Sequence, residues 1–151
     1  MVARGNRKYV ARMLVAERAA AAKGIRVDLN QCRQCWVMGY RFRLEQVVVN
    51  LLDNAVKFNR AGGEVWVEAG SAPGGKVRIT IADSGIGIPS EELPRIFERF
   101  YRVDKARSRE VGGTGLGLSI VKHVIEQMQG TVAVESQLGK GSKFHVVLPQ
   151  A

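Results

Sequence analysis

The feature that most limits how this chain can fold is the glycine-rich run at residues 112–118, with the sequence GGTGLGL. Apolar residues at helical spacing follow the run, which predicts a loop that leads into a helix N-terminus. Glycine permits positive φ and lets a ligand approach the backbone closely. Because a helix N-terminus carries unpaired N–H groups and the positive end of the helix dipole, the expected ligand is a phosphate group.

Two familiar phosphate-binding motifs do not match the run. It lacks the Gly-Lys-Ser/Thr ending of a P-loop, and a basic polar segment precedes it where both the P-loop and the Rossmann fingerprint have a β-strand. The net charge of +9 indicates a nucleic acid, an acidic protein or a polyphosphate as a partner, or simply a solvated basic face. Phe97, Phe100 and Tyr101 interleave with basic residues, but they match no nucleic-acid module closely, so a nucleic-acid partner is not expected.

The length of 151 residues predicts a single domain over residues 1–151. No apolar run is long enough for a membrane segment, and no signal peptide is visible, so we expect a cytoplasmic location. The two cysteines, Cys32 and Cys35, form a single CxxC. A zinc site needs further ligands at suitable spacing, and incidental thiols are favoured over a redox or metal function.

Periodicity predicts an α+β fold, in which three main helices lie on one face of a mixed, mostly antiparallel sheet. The predicted main helices cover residues 9–23, residues 43–58 and the segment from the glycine run to about residue 129. A shorter helix is predicted from Ser90 towards Phe100, with Ser90 as its cap. The predicted strands cover residues 25–29, 36–38, 64–69, 76–82, 131–135 and 143–148.

The helix at residues 43–58 carries the first candidate binding residues. Gln46, Asn50, Asn54 and Lys57 recur at intervals of four, four and three residues, which places them in one stripe. Amide oxygens are hard ligands for Mg²⁺, and amide N–H groups with an ammonium suit phosphate oxygens. The alternative is a solvated, asparagine-rich helix face.

A second candidate is Asp83, at the end of a predicted strand and followed by Gly85 and Gly87. A carboxylate in this position can accept a hydrogen bond from an exocyclic amine, and the glycines would admit a flat ring against the backbone. An ordinary Asx turn explains the same three residues equally well.

Five segments together resemble a known family: residues 43–58, 83–89, 96–102 and 139–149, with the glycine run. In order and spacing they resemble the ATP-binding catalytic domain of sensor histidine kinases, in the group that includes gyrase-type and Hsp90-type ATPases. The resemblance is specific from about residue 41 onward, whereas residues 1–40 match in outline only. It implies the two-layer α/β sandwich of the Bergerat fold, with ATP or ADP and Mg²⁺ as ligands.

The resemblance also implies roles for individual residues. Asn50 would ligate Mg²⁺, Asn54 and Lys57 would contact phosphate or ribose, Phe58 would line the pocket, and Asp83 would receive the adenine amino group. Residues 102–111 would form an ATP lid hinged by the glycine run. Ser142 would reach the adenine side through water. The remaining implied nucleotide-binding residues are Gly85, Gly87, Ile88, Arg102, Gly113, Thr114, Gly115, Leu116, Gly117 and Leu118.

Two departures from the family pattern refine the expected function. Gln46 stands where gyrase-type hydrolases have a glutamate base, and an amide cannot accept a proton from water, which favours a kinase. No segment resembles the helical hairpin that carries the phosphoacceptor histidine, and His123 and His145 are expected to be structural.

We therefore expect the Mg-ATP-binding catalytic domain of a protein histidine kinase, either cytoplasmic or the cytoplasmic portion of a membrane-bound kinase. It would supply the γ-phosphoryl group to a histidine on a separate dimerisation domain, of the same or a partner chain, with a response regulator downstream. Alone it would not autophosphorylate. The alternatives are a nucleotide-dependent interaction module, a basic nucleic-acid binder, and an anti-sigma-type serine kinase, which Gln46 disfavours.

Overall fold

The computed structural model describes residues 2–4, 20–21, 23–33, 35–102 and 117–151. Two α-helices have their bounds within this part of the chain, α1 (Arg41–Lys57) and α2 (Gly117–Gln127). Seven strands accompany them: β1 (Val2–Arg4), β2 (Arg26–Cys32), β3 (Trp36–Met38), β4 (Glu64–Ala72), β5 (Lys76–Asp83), β6 (Thr131–Gln137) and β7 (Gly141–Pro149).

The main sheet has five strands in the order β2-β4-β5-β7-β6. β2 and β4 run parallel, and the other neighbouring pairs are antiparallel. The predicted hairpin is the β4–β5 pair, in which Ala72 is opposite Lys76. β1 and β3 form a separate antiparallel pair, and Val37 of β3 bridges to Gln150 near the chain end.

The core lies between the helices and one face of the sheet. On α1 the buried apolar residues recur at helical spacing, and on β4, β5 and β7 they alternate along each strand, because one face of each element packs inward. The largest fully buried side chains are Leu51, Leu52, Ile81, Ile125, Leu148, Val47, Val65, Val77, Val121, Val124 and Val146. The predicted two-layer α+β architecture with a mixed, mostly antiparallel sheet is confirmed.

The helix predictions need two comments. The predicted helix at residues 9–23 lies mostly outside the described residues, of which Ala20 and Ala21 are helical. The helix predicted from Ser90 towards Phe100 is wrong, because only Leu93–Arg95 forms a short 3-10 helix. Pro94 has no N–H to donate to the carbonyl of Ser90, so successive turns with three-residue hydrogen bonds replace the helical ladder.

The capping prediction for Ser90 is also wrong. Its hydroxyl donates to the carboxylate of the adjacent Glu91 at 3.4 Å, and the 3-10 helix has no side-chain cap. At the far end of this segment Phe100 adopts a left-handed φ of 62°, which ends any helical continuation. In the described part of the chain, no helix has the length and apolar character needed to cross a membrane.

Candidate functional site

The polar stripe of α1 lies on the side of the helix away from the core. Gln46 is exposed, and Asn50, Asn54 and Lys57 are half-buried. The predicted core side is buried throughout, and its residues are Leu44, Val47, Val48, Leu51, Leu52 and Ala55. The sequence therefore divided this helix correctly into a polar side and a core side.

Asn50 connects the stripe to the first residue of α2. Its Nδ2 donates to the carbonyl oxygen of Gly117 at 3.4 Å, which leaves the amide oxygen to accept a donor or ligate a cation. The N-terminal end of α2, with its positive dipole, consequently lies beside the stripe. Leu118 follows on α2 and is half-buried. Four of the predicted site residues lie outside the described residues: Gly113, Thr114, Gly115 and Leu116.

Two lysines meet at the C-terminal end of α1. Lys57 pairs with Asp53 at 3.3 Å, and because both side chains are at least 35% exposed, the pair contributes little to stability and leaves the ammonium able to turn to a ligand. The Nζ of Lys23 donates to the carbonyl oxygens of Val56 at 3.1 Å and Lys57 at 2.9 Å. A cation there satisfies carbonyls that have no partner within the helix. Sequence reasoning missed Lys23, since no motif relates it to a helix end more than thirty positions away.

Asp83 ends β5 beside this helix end. Its Oδ1 accepts the N–H of Gly85 at 2.8 Å, and the carboxylate also accepts a backbone hydrogen bond from Ser142. Burial raises the pKa of Asp83 to about 6, and the two hydrogen bonds partly oppose the shift. The hydrogen bond expected of an Asx turn is thus present, but the half-buried carboxylate is also a strong acceptor for a ligand N–H group.

The two glycines after Asp83 lie against neighbouring backbone. A Cβ at Gly85 would lie 2.4 Å from the carbonyl oxygen of Phe58, and one at Gly87, where φ is 72°, would lie 2.1 Å from that of Gln137. Ile86 donates its N–H to the carbonyl of Phe58 at 3.1 Å. This contact brings the half-buried Phe58 and the end of α1 next to the Asp83 turn, as the sequence interpretation required.

The β6–β7 turn holds the other side of the segment after Asp83. Ile88, which is half-buried against the core, donates its N–H to the Oγ of Ser136 at 2.8 Å. Gly139 donates its N–H to the carbonyl of Ile86 at 2.8 Å, and its own carbonyl accepts a hydrogen bond from the Arg60 guanidinium. Sequence reasoning missed Ser136, which has no motif signal and becomes visible only through strand register.

Several other predicted features have definite positions. Glu45, the carboxylate next to Gln46 in the sequence, is buried and pairs with Arg41 at 3.6 Å, so it does not share the exposed side with Gln46. Cys32 and Cys35 are free, half-buried thiols. No cluster of three or more His, Cys, Asp or Glu residues able to hold a metal occurs among the residues that the structure describes. Arg102 is half-buried and begins the predicted lid, whose residues 103–111 are outside the described part.

The two histidines occupy different surroundings. His145 lies on β7 between two polar partners, with Nδ1 2.9 Å from the Oγ1 of Thr80 and Nε2 2.8 Å from a carboxylate oxygen of Glu135. His123 is exposed on α2. Neither ring belongs to the group formed by Asp83 and the end of α1.

The titration of Asp83 leads to a stability prediction. Its folded-state pKa of about 6 exceeds the ordinary value of 3.8, so between these values the folded chain binds more protons than the unfolded chain, and this contribution to stability falls as pH rises. Asparagine does not titrate. We therefore expect Asp83→Asn to gain stability relative to wild type as pH rises from about 4 to about 6, and the difference to level off at higher pH. Thermal unfolding across this range measures the difference, and a constant difference would contradict the prediction.

Comparison with known proteins places this geometry in a family. The sequence model of the family described as "Histidine kinase-, DNA gyrase B-, and HSP90-like ATPase" matches residues 39–151. The chain belongs to this family of ATPase domains. Among its members, the likeness is to the ATP-binding catalytic domains of histidine kinases.

Three relatives illustrate that likeness. The chain is 44% identical over 114 residues to the sensor-like histidine kinase SenX3 of Mycolicibacterium smegmatis, which covers 76% of this chain and 29% of SenX3. The mycobacterial sensor histidine kinase MprB has a solved structure with a TM-score of 0.81 and 34% identity, covering 95% of this chain and 94% of that one. Full-length ShkA in complex with AMPPNP gives a TM-score of 0.81 and 33% identity, covering 99% of this chain and 31% of ShkA. The chain spans less than a third of the length of its curated relatives.

Proposed function

We propose that this chain binds Mg-ATP beside α1, the Asp83 turn and the N-terminal end of α2, and supplies the γ-phosphoryl group for phosphorylation of a histidine. The observation that carries the proposal is the convergence of Asp83, Phe58 and the polar stripe at one end of the sheet. The backbone hydrogen bond between Ile86 and Phe58 joins the two motifs directly. The ShkA complex with AMPPNP, an ATP analogue, supports the choice of ligand.

In this proposal the base lies at the Asp83 turn. The carboxylate of Asp83 accepts the adenine amino group. Gly85 and Gly87 shape the base pocket by letting the turn pack directly against the backbone of Phe58 and Gln137. Ser142 reaches the base through water. Phe58 lines the pocket, and Ile88 continues the wall after the turn.

The phosphate end of the proposed site follows the polar stripe. Asn54 and Lys57 contact phosphate or ribose, while residues 113–118 close on the phosphates as the hinge of a lid that begins at Arg102. Gly117 and Leu118 lie in the first turn of α2, where the helix dipole favours negative charge. The carbonyl of Gly117 is already held by Asn50, so the stripe and this helix end are coupled.

Mg²⁺ fits the donor set at Asn50. An amide oxygen is a hard ligand, and Mg²⁺ in nucleotide sites is usually held by one or two protein groups together with phosphates and water. Asn50 would hold the ion, which would neutralise charge on the phosphate oxygens. The protein's own contribution to the reaction is then to position the nucleotide, because phosphoryl transfer depends mainly on alignment and charge.

A histidine on a separate dimerisation domain is the proposed acceptor, and a response regulator the final recipient. His145 is already bonded to Thr80 and Glu135, and His123 lies exposed along α2, so neither is proposed as the acceptor. Gln46 in the position of a hydrolytic base disfavours transfer to water. An anti-sigma-type serine kinase remains an alternative outcome of the test, and a nucleotide-dependent interaction module would bind without transfer.

The test is phosphotransfer from γ-labelled ATP to a histidine-bearing dimerisation domain added as a separate protein. We expect an acid-labile, base-stable label on the added domain that requires its histidine, and no comparable label on this chain alone. The same domain with its histidine changed to glutamine is the matched control. An acid-stable label, strong self-labelling, or release of free phosphate without any transfer would overturn the proposal.

A further inference from the structure

Lys23 is bonded to both ends of the connection between α1 and β4. Its Nζ donates to the carbonyl oxygens of Val56 at 3.1 Å and Lys57 at 2.9 Å, at the end of α1. Its own carbonyl oxygen accepts the N–H of Gly62 at 3.1 Å, shortly before β4 begins. The side chain and the backbone of one residue therefore hold the two ends of the same loop, residues 58–63.

The backbone of Lys23 is fixed independently of its side chain. Gly24 donates its N–H to the carbonyl of Ala21 at 3.0 Å, and Ile25 donates its N–H to that of Ala20 at 2.8 Å. These two hydrogen bonds, with a left-handed φ of 68° at Gly24, form the Schellman motif that ends a helix. Ala20 and Ile25 are both buried in the core. Substitutions of the Lys23 side chain leave this anchorage intact, so we expect the variants to fold.

Lys57 depends on its neighbours for its position. It is the last residue of α1, so the way in which the final helical turn ends determines where its side chain projects. Its ammonium contacts Asp53 at 3.3 Å in an exposed pair, and such a pair holds a long side chain only weakly. The backbone carbonyl of Lys57, in contrast, is bonded to the ammonium of Lys23.

Lys23 also changes the electrostatics of this helix end. The C-terminal end of α1 carries the negative end of the helix dipole, which disfavours a phosphate group nearby. The proposed contact of Lys57 with phosphate or ribose lies at this end. Because the ammonium of Lys23 bonds to two of the terminal carbonyl oxygens, it offsets their partial negative charge where a nucleotide would approach.

We propose that Lys23 is a positioning residue for nucleotide binding, which holds the last turn of α1 so that Lys57 meets the phosphate or ribose. This inference rests on the proposed function, because it takes Lys57 as a ligand contact. Two of the three N–H donors of the Lys23 ammonium are used by the carbonyls of α1. Lys23 therefore acts through Lys57.

The experiment is a double-mutant cycle on Mg-ADP affinity, measured by calorimetry on the wild type, Lys23→Met, Lys57→Met and the double variant. We expect Lys23→Met to bind about fivefold more weakly than the wild type and Lys57→Met about tenfold more weakly. If Lys23 acts through Lys57, the double variant should bind within about twofold of Lys57→Met alone. A general loosening of the fold would instead multiply the two losses.

Two further variants control for charge and for the donors. Lys143→Met removes the same positive charge from an exposed position of β7, opposite Ala82, and should bind Mg-ADP within about twofold of the wild type. Lys23→Arg keeps both the charge and several N–H donors, so it should restore binding to within about twofold of the wild type. A loss caused by net charge alone would appear equally in Lys143→Met and in Lys23→Met.

The outcomes separate this inference from the proposed function. Unchanged affinity in Lys23→Met or in Lys57→Met, or losses that multiply in the double variant, would overturn the role of Lys23 while leaving the nucleotide site in place. Absence of Mg-ADP binding to the wild type would overturn both. If Lys23→Met fails to fold, Lys23→Gln, whose side chain is shorter and uncharged, takes its place in the same cycle and is judged by the same outcomes.

Discussion

The Asp83→Asn variant is expected to bind Mg-ADP at least about a hundredfold more weakly than the wild type at neutral pH, a loss of about 2.7 kcal/mol. Asp83 is a half-buried carboxylate whose Oδ1 already accepts the N–H of Gly85, so an asparagine there keeps its amide oxygen on Gly85. Its amide nitrogen is then directed at the proposed amino group of the base. Two donors facing each other in a buried site cost more than the loss of one hydrogen bond.

Calorimetry on the folded variant measures this effect, with the unfolding temperature as a check that the turn is intact. Glu68→Gln is the matched control, since Glu68 is an exposed acid on β4 that pairs in register with Thr80, on the sheet face opposite Asp83. We expect the control to bind within about twofold of the wild type. An Asp83→Asn variant that folds and binds Mg-ADP within threefold of the wild type would remove Asp83 from the base site.

Asp83→Asn is expected to weaken nucleotide binding and, as pH rises, to gain stability relative to the wild type. Above about pH 6 the folded chain holds a partly desolvated charge on Asp83, which costs folding free energy and which asparagine avoids. The charge is nevertheless what makes the carboxylate a strong acceptor. A group that weakens the fold at neutral pH while strengthening binding is typical of a functional site, and the two measurements together test that interpretation.

The polar stripe shows why much of this site could be predicted from the sequence. Asn50, Asn54 and Lys57 are brought together by helix periodicity alone, so their spacing already determines that they share a side. The core side of α1 is defined by the same periodicity. Asp83 and its two glycines were predictable for a similar reason, because a carboxylate at a strand end beside glycines is a local pattern.

Contacts that depend on strand register or on distant segments could not be predicted in this way. Ser136 reaches Ile88 from a position 48 residues away, and Lys23 reaches the end of α1 across 33 residues. Nothing in the local sequence of either residue specifies its partner. The incorrect prediction of a helix after Ser90 has a different cause. The apolar spacing there predicts a helix, but Pro94 has no N–H to donate, and this decides the local structure.

Asn50→Ala provides the test of the phosphate end of the site. We expect its Mg-ATP affinity to fall about tenfold or more and its phosphotransfer to an added histidine domain about a thousandfold, because the variant lacks the amide oxygen proposed to hold Mg²⁺. The substitution also removes the hydrogen bond from Nδ2 to the carbonyl of Gly117, which joins α1 to α2. A simple loss of affinity would therefore be ambiguous between the two causes.

The comparison of Mg²⁺ with EDTA separates these causes. The contact with Gly117 exists with or without the ion, so any effect of its loss on ATP binding should be equal in both conditions. The proposed ligand oxygen matters only when Mg²⁺ is present, so the wild type and Asn50→Ala should bind ATP within about twofold of each other in EDTA and diverge when Mg²⁺ is added. Parallel losses in both conditions would assign Asn50 to the joining of the two helices and would remove it from the metal site.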